Sequence, residues 1–169
     1  MTRVLGIDPG LAATGWGVVE ADGTRYQHVA HGVIRTSPRD EVGARLLKLH
    51  TEITKIIRLH RPHQSGVENL YFARNATSAI PVAQARGVVM LALTQLGVPA
   101  SEYPPQAIKQ ALVCQGRAEK YQVQELVRML LGLESIPKPD HASDALAAAI
   151  CHVANGGTIG LGAAAGKEP

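Results

Sequence analysis

Short apolar runs alternate with segments of helical periodicity, and this pattern predicts a sheet covered by helices. Strands are predicted at about 3 to 8, 15 to 20 and 25 to 36, and the short connections between them indicate an antiparallel meander. A helix is then predicted to open at Ser37 to Glu41, with apolar residues at helical spacing from Leu46 to Ile57, until Pro62 ends it. The first third of the chain therefore predicts three strands and one helix.

The rest of the chain predicts alternating strands and helices. A strand at Ser65 to Leu70 follows the helical crossover, so we expect it to run parallel to the first strand. The further predicted elements are a helix at about 76 to 96, a strand at Val98 to Tyr103, a short helix after Pro105, a helix from Glu119 to about Leu131 and a helix from about Asp140 to Asn155. The predicted fold class is α/β, with a five-stranded mixed sheet flanked by helices.

Length and composition are typical of one domain. The chain has 169 residues, of which 46% are hydrophobic, so residues 1–155 are predicted to form a single domain with a substantial core. The Gly- and Ala-rich segment 156–169 is predicted to be a mobile tail. Cys114 and Cys151 are far apart and lack metal-ligand spacing, which argues against structural zinc and against a disulfide framework.

The start of the chain and its charge bear on location and partners. The sequence begins directly with a strand, and no apolar run approaches the length that spans a bilayer. We therefore expect a cytoplasmic protein without membrane contact. The formal net charge of +3 permits a polyanionic partner but does not require one.

Two predicted strands carry an acid where a buried strand ends. Asp8 follows the apolar run Val4 to Ile7, and Glu68 interrupts the fourth strand. A carboxylate at the rim of a buried strand is costly unless it is paired or binds a metal. Asp8 is therefore either a turn former in Asp-Pro-Gly or a ligand, and Glu68 either pairs with an arginine or is a ligand. Gly15 and Gly17 in the second strand indicate that a ligand or another backbone comes close beside Asp8.

A third polar cluster begins the last predicted helix. His141 and Asp144 share a helix face, and Asp140 either caps the helix or lies near that face, although acids in a first turn also complement the helix dipole. Asp8, Glu68, His141 and Asp144 together would form an oxygen-rich ligand set that suits Mg²⁺ or Mn²⁺. Such clusters commonly hold two divalent ions in phosphodiester hydrolysis.

Five segments resemble the RuvC family of Holliday junction resolvases. They are residues 6–10, residues 14–18, Val67 to Asn75, Gln84 to Val88, and Asp140 to Ala147. The resemblance extends from Val4 to about Asn155. It implies a ribonuclease-H-like fold, a homodimer and metal-dependent nicking of two opposed strands of a four-way DNA junction.

The resemblance also implies roles for single residues. By position, the family's acidic catalytic residues match Asp8, Glu68 and Asp144, and a fourth position that varies in the family matches His141. The possible protein partners that it implies are the branch-migration proteins RuvA and RuvB.

Basic and aromatic residues agree with a DNA substrate. Tyr71 is predicted to stack on an unpaired base near the crossover, although it could instead cap the sheet edge, which is the interpretation favoured for Phe72. The basic residues predicted to contact DNA are Arg74, Arg86, Lys109, Arg117 and Lys120. Lys109 and Lys120 also match basic positions that the family uses near the scissile phosphate. Singly, each of these residues could be solvated surface.

The helix at 76 to 96 is apolar all the way round between Val88 and Leu93. Such a helix must be covered on both sides. The sheet can cover one side and a two-fold partner the other, which favours a homodimer and suits a substrate that needs two cuts.

We therefore predict a metal-dependent endonuclease that resolves four-way DNA junctions by paired symmetric nicks in recombination and repair. One alternative is a junction-binding protein without catalysis, which would leave three acids in the path of an anionic substrate without purpose. The other is a phosphate- or nucleotide-binding ATPase module, for which the chain is too short. Because imidazole is a softer ligand than carboxylate, His141 is predicted to favour Mn²⁺, unless it faces solvent.

Overall fold

Five strands and five helices make up the part of the chain that the structure describes. The structure is a computed structural model and describes residues 1–69, 76–113 and 119–156. The elements in chain order are β1 (Thr2–Asp8), β2 (Ala13–Asp22), β3 (Arg25–Arg35), α1 (Val42–His60), β4 (Gln64–Glu68), α2 (Ala76–Gln95), β5 (Ala100–Tyr103), α3 (Pro105–Val113), α4 (Lys120–Leu130) and α5 (Asp140–Ala154). The order of strands and helices is the one that the sequence predicts.

The strands form one mixed sheet in the order β3-β2-β1-β4-β5. The three N-terminal strands are antiparallel neighbours, whereas β4 runs parallel to both β1 and β5. The predicted parallel pairing of the first and fourth strands is confirmed. It places the carboxyl ends of β1, β4 and β5 at one edge of the sheet, and β3 ends at that edge too.

β4 ends at Glu68, two residues before the predicted end, so Glu68 closes this strand and does not interrupt it. Two other predicted boundaries are also wrong, each for a local reason. The first helix begins at Val42 rather than near Ser37, because the Ser37 hydroxyl and carbonyl accept hydrogen bonds from the backbone N–H groups of Arg39 and Asp40 and hold a turn. The fifth strand begins at Ala100 rather than Val98, because the N–H of Val98 still bonds to a carbonyl of α2.

Two apolar cores lie on opposite faces of the sheet. Alternation along β1 divides its side chains, so that Leu5 and Ile7 point to one face while Val4 and Asp8 belong to the other. One core is formed with α1 and α2 and includes Leu5, Ile7, Leu49, Ile53, Val67, Val89 and Leu93. The other is formed with α3, α4 and α5 and includes Val4, Val19, Ile108, Val127, Leu146 and Ile150. The sheet is thus covered on both faces.

The alanine-rich helix α5 lies unusually close to the sheet. A Cβ atom added at Gly6 would lie 1.8 Å from the carbonyl oxygen of Ala145, and one at Gly66 would lie 2.6 Å from that of Ala148. Only glycine leaves room for a helix backbone at this distance. The close contact fixes the height of α5 above the ends of β1 and β4.

The described residues also test two expectations from composition. None of the helices in residues 1–69, 76–113 and 119–156 is long and apolar enough to cross a membrane. Cys151 is a free, buried cysteine on α5, whereas Cys114 lies outside the described residues. Of the predicted tail, only Gly156 lies within them.

Candidate metal centre

Two predicted site residues come from the edge of the sheet where parallel strands end. Asp8 is the last residue of β1 and Glu68 the last residue of β4, and the register pairs Ile7 with Val67 directly before them. The two carboxylates therefore end adjacent strands. This is the edge at which open α/β sheets commonly bind ligands.

The first turn of α5 supplies the other two residues. A Cβ atom added at Gly15 would lie 1.8 Å from the carbonyl oxygen of His141, so the helix backbone rests directly on β2 beside Asp8. The predicted close approach at Gly15 is confirmed, and what approaches is the backbone of α5. His141 and Asp144 are three residues apart in α5, so their side chains share the helix face that lies over the strand ends.

The side chains meet at short distances. His141 Nδ1 lies 2.8 Å from Asp8 Oδ2, and ligand atoms of Asp8, His141 and Asp144 all lie within 4.8 Å of one another. The carboxyl group of Glu68 lies close enough to Asp8 for the two acids to interact. Three carboxyl groups and one imidazole therefore converge, and this donor set fits a divalent cation of the Mg²⁺ or Mn²⁺ type.

The structure also bears on the alternatives left open by the sequence. The side chain of Asp8 is only 11% exposed and faces His141, so it does more than form a turn. Glu68 forms no ion pair with an arginine within the described parts of the chain. Asp140 is the first residue of α5 and follows the N-cap, Pro139, so of its two alternatives the capping role is wrong. The side chain of His141 is 49% exposed yet is held by Asp8.

Crowding of acids perturbs the protonation of the centre. Burial, followed by the nearby charges of Asp8 and Asp144, raises the pKa of Glu68 to about 8. Burial and the charge of Asp8 also raise the pKa of Asp144, although Lys120 opposes the shift. The hydrogen bond that His141 donates to Asp8 raises the pKa of His141. Without a cation, the cluster thus tends to retain protons, as expected of groups whose anionic forms need a compensating positive charge.

Two lysines line the cleft beside these acids. Lys120 Nζ lies 3.2 Å from Asp144 Oδ2 and 3.3 Å from Asp140 Oδ2. Partial burial acts to lower the pKa of Lys120, but the two carboxylates outweigh it and raise that pKa. The acid cleft, as we call this cavity of about 190 Å³, is lined by Glu68, Pro105, Ile108, Lys109, Lys120, Val123, Asp144 and Ala147. Both lysines are therefore brought to the centre.

The other predicted DNA contacts are not all brought there. Arg86 forms a bidentate ion pair with Glu102 of β5, including a contact of 2.6 Å between Nη2 and Oε2. The guanidinium of Arg86 already binds a carboxylate, and this geometry does not favour a phosphate contact. The predicted phosphate contact of Arg86 stays a prediction. Tyr71, Arg74 and Arg117 lie outside the described residues, as does Phe72.

Comparison with known proteins decides the family. A family model described as crossover junction endodeoxyribonuclease RuvC matches residues 4–152. The chain belongs to the RuvC family. RuvC of Treponema denticola is 51% identical to this RuvC-family chain over 157 residues, which cover 93% of the chain and 88% of the relative. The assignment as an endodeoxyribonuclease is confirmed, and the ATPase and the non-catalytic binding protein are thereby disfavoured.

Solved structures agree with this family assignment. T. thermophilus RuvC, in a complex with a Holliday junction substrate, has a TM-score of 0.88 and 36% identity, with 92% of this chain and 94% of that chain covered. A yeast mitochondrial Holliday junction resolvase has a TM-score of 0.63 at 12% identity, with coverage of 90% and 79%. The second likeness shows the fold alone. The predicted ribonuclease-H-like fold of the RuvC-family chain is confirmed.

The sequence does not predict three contacts of this RuvC-family site. His141 is predicted as a metal ligand, without its hydrogen bond to Asp8, and Lys120 as a DNA contact, without its ion pairs with Asp140 and Asp144. Asp8 and His141 are 133 residues apart, and Lys120 is 20 and 24 residues from Asp140 and Asp144. No local sequence spacing connects partners at these separations. The available signal was indirect: a lysine at the start of one amphipathic helix and two acids at the start of another helix.

Proposed function

We propose that the chain resolves four-way DNA junctions by paired symmetric nicks, with Asp8, Glu68, His141 and Asp144 as the ligands of two divalent cations. The observation that carries this proposal is the convergence of ligand atoms from Asp8, His141 and Asp144 within 4.8 Å beside Glu68. The acidic group in a RuvC-family nuclease indicates dependence on a divalent metal. The choice of Mg²⁺ or Mn²⁺, with Mn²⁺ preferred because of His141, is part of the proposal.

The cations would supply activation of water and stabilisation of the leaving oxygen of the phosphodiester. The residues of the chain hold the geometry. Asp8 accepts the hydrogen bond from the Nδ1–H of His141 and so fixes the imidazole ring, which leaves Nε2 outside this bond. Lys120 contacts Asp144 and orients that carboxylate.

Lys109 and Lys120 would also draw the DNA backbone into the acid cleft. A cluster of carboxylates repels phosphate, and both lysines line the same cavity as Glu68 and Asp144. Their charges offset this repulsion and would contact phosphates without reading sequence. Arg74 and Arg117 are proposed as further phosphate contacts, and Tyr71 as a ring that stacks on an unpaired base.

The junction substrate is proposed from the relative of known structure, which is described with a Holliday junction substrate. Two opposed nicks need two centres with opposite orientation, and a two-fold homodimer supplies them. The exposed side of α2 supports this assembly, because Ile80 and Leu91 are 60% and 51% exposed on it. Val89 and Leu93, by contrast, are fully buried on the sheet side and belong to the core.

Further features of the proposal follow from the sequence. Residues 1–155 would form one nuclease domain, followed by a mobile tail at 156–169. The protein would act in the cytoplasm during recombination and repair, and RuvA and RuvB are possible partners.

The deciding experiment uses a synthetic four-way junction with each strand labelled in turn. We expect nicks at symmetry-related positions with Mg²⁺ or Mn²⁺ and none in chelator, and no cleavage of the matching linear duplex. Junction binding without cleavage in either metal would favour a binding protein, and metal-dependent hydrolysis of ATP would favour the ATPase. Either result would contradict the proposed function.

A further inference from the structure

Arg35 stands on the same face of the sheet as the metal centre. The register places Asp8, Gly15 and Val33 in one row across β1, β2 and β3, and Arg35 lies two residues beyond Val33. Residues in one row, and residues two apart along a strand, point to the same face. That face is the one on which the backbone of His141 rests over Gly15.

The separation of Arg35 from Asp8 suits the spacing of a DNA backbone. β3 lies two strands from β1 in the sheet. Val33 is level with Asp8 across the sheet, and Arg35 lies two residues beyond Val33, toward the carboxyl end of β3. Strand spacings of about 4.8 Å and a rise of about 3.3 Å per residue put the two Cα atoms roughly 12 Å apart. At a rise of about 3.4 Å per nucleotide, this corresponds to about three nucleotides of a strand.

Arg35 lies on the opposite flank of the acids from the two lysines. Lys109 and Lys120 line the acid cleft with Glu68, which ends β4, whereas β3 lies on the other side of β1. A strand drawn across the centre by the lysines would therefore pass from the cleft, over Asp8, toward Arg35. The acids would then be flanked by positive charge on both sides.

The connection that follows Arg35 is tied to the loop that follows Asp8. The N–H of Thr36 donates to the carbonyl of Ala12 at 3.1 Å, and its hydroxyl donates to the carbonyl of Leu11 at 2.5 Å. Arg45 Nε in turn donates to the Thr36 hydroxyl at 2.9 Å. The backbone at Arg35 is thus held in a fixed position relative to Asp8, as preorganised binding requires.

The side chain of Arg35 is exposed and forms no ion pair with the residues described. Arg39 in the same connection is exposed too, but Asp40 and Glu41 follow it directly and offset its charge. Arg35 is therefore the cation on which the inference rests. Its planar guanidinium carries donors that match phosphate oxygens.

We propose that Arg35 binds a backbone phosphate of the junction strand on the side of the metal centre opposite to Lys109 and Lys120. This inference rests on the proposed function, because it takes junction DNA as the ligand. Its role is to fix the path of the strand across the acids, and it carries no sequence preference.

The test compares two arginines at opposite ends of β3. Arg35→Gln and Arg25→Gln each remove one exposed charge from this strand, but Arg25 lies at the end remote from Asp8. Binding to a labelled four-way junction is measured in chelator, so that no cleavage occurs, at several salt concentrations. We expect Arg35→Gln to weaken binding about fivefold and to lower the slope of log affinity against log salt by about 0.9, the value for one phosphate contact.

Arg25→Gln is expected to keep the affinity and slope of the wild type, and Arg35→Lys to keep most of both. Neutral methylphosphonates, placed singly up to four nucleotides on either side of the cut, locate the contact. At the phosphate that Arg35 contacts, a methylphosphonate should weaken junction binding by the wild type but should not weaken binding by Arg35→Gln any further. Wild-type affinity and slope in Arg35→Gln, or an equal loss in Arg25→Gln, would overturn the inference. Junction cleavage by the wild type, scored separately, reports on the proposed function alone.

Discussion

His141 Nδ1 lies 2.8 Å from Asp8 Oδ2, across a separation of 133 residues in the chain. An ionised carboxylate can only accept, so the imidazole donates this hydrogen bond from Nδ1. The ring is thereby held with Nε2 as the nitrogen that remains for a cation, an arrangement typical of histidines at metal centres. The pair joins the end of β1 to the start of α5.

The first prediction concerns this histidine and the choice of metal. We expect His141→Asp to stay active and to become relatively better with Mg²⁺, because it replaces a softer nitrogen ligand by an oxygen. His141→Ala should lose at least about tenfold in cleavage with both metals. The ratio of cleavage rates in Mn²⁺ and Mg²⁺ is measured for all three proteins. An unchanged ratio in His141→Asp, or full activity in His141→Ala, would remove His141 from the centre.

The second prediction concerns the two strand-end acids. Asp8→Asn or Glu68→Gln should lower cleavage by far more than tenfold, because each variant removes an oxygen ligand of the proposed cations. Junction binding should stay intact in both variants and should tighten in Asp8→Asn, which removes a negative charge facing phosphate. Cleavage rates and binding in chelator are measured in parallel. The matched control is Glu134→Gln, an exposed acid outside the site, which should behave as the wild type. Cleavage within tenfold of the wild type by either site variant contradicts the assignment.

The third prediction follows from the pKa of about 8 at Glu68 in the absence of metal. The unfolded chain loses this proton near 4.5, so between pH 4.5 and 8 the folded protein binds more protons than the unfolded one. The contribution of Glu68 to the free energy of unfolding therefore falls as pH rises through this interval, by up to about 1.4 kcal/mol per pH unit.

Thermal unfolding in chelator between pH 5 and 8.5 checks this. For a domain of this size, 1 kcal/mol corresponds to about 2–4 °C in Tm. Glu68→Gln should flatten the decline, since it has no proton to lose, and added Mg²⁺ should raise Tm most at the alkaline end. A Tm profile of Glu68→Gln that parallels the wild type would show that Glu68 is not the group responsible.

Much of the fold could be predicted because strands and helices differ in hydrophobic period. The acids at Asp8 and Glu68 could be found because a charge at the end of an apolar strand needs a reason. The sequence predicts that something packs closely against Gly15, but it does not predict that this is the backbone of α5. A glycine shows only that there is no room for a side chain, not which part of the protein takes that room. The partners of Lys120 depend on tertiary packing and left no local signal.

The orientation of α2 could not be predicted for a different reason. A helix that is apolar on all sides has no polar stripe to mark its outer face. In the structure Val89 and Leu93 face the sheet, and Leu91 faces outward. The sequence therefore indicates that a second partner must pack against this helix, but it does not indicate which residues of the helix form the contact.

The fourth prediction uses this orientation. Leu91→Glu places a charge on the half-exposed side of α2 and should give a folded monomer. Val89→Glu is the contrasting variant, because its side chain is fully buried and a charge there should cost several kcal/mol and unfold the protein. Sedimentation gives the mass and circular dichroism the folded fraction. An unchanged dimer in Leu91→Glu would reject this face as the interface.

The last prediction concerns the glycine beneath His141. A Cβ atom at position 15 would lie 1.8 Å from the carbonyl oxygen of His141 and 2.3 Å from its carbonyl carbon. These are backbone atoms, which cannot rotate away, so in Gly15→Ala the first turn of α5 must move. That turn carries His141 and Asp144, and their separation from Asp8 must therefore change.

We expect Gly15→Ala to destabilise the fold by about 1–3 kcal/mol, as overpacking does. It should also lower cleavage by up to about a hundredfold, because a shift near 1 Å disturbs catalytic geometry. Gly43→Ala is the matched control: a Cβ there meets nothing within 4 Å, and alanine in α1 should stabilise the protein by up to about 1 kcal/mol. Thermal unfolding, Mn²⁺ affinity by calorimetry and cleavage rates are compared among the three proteins. If Gly15→Ala kept both its metal affinity and its stability, the contact of α5 with β2 would not be what positions His141 and Asp144.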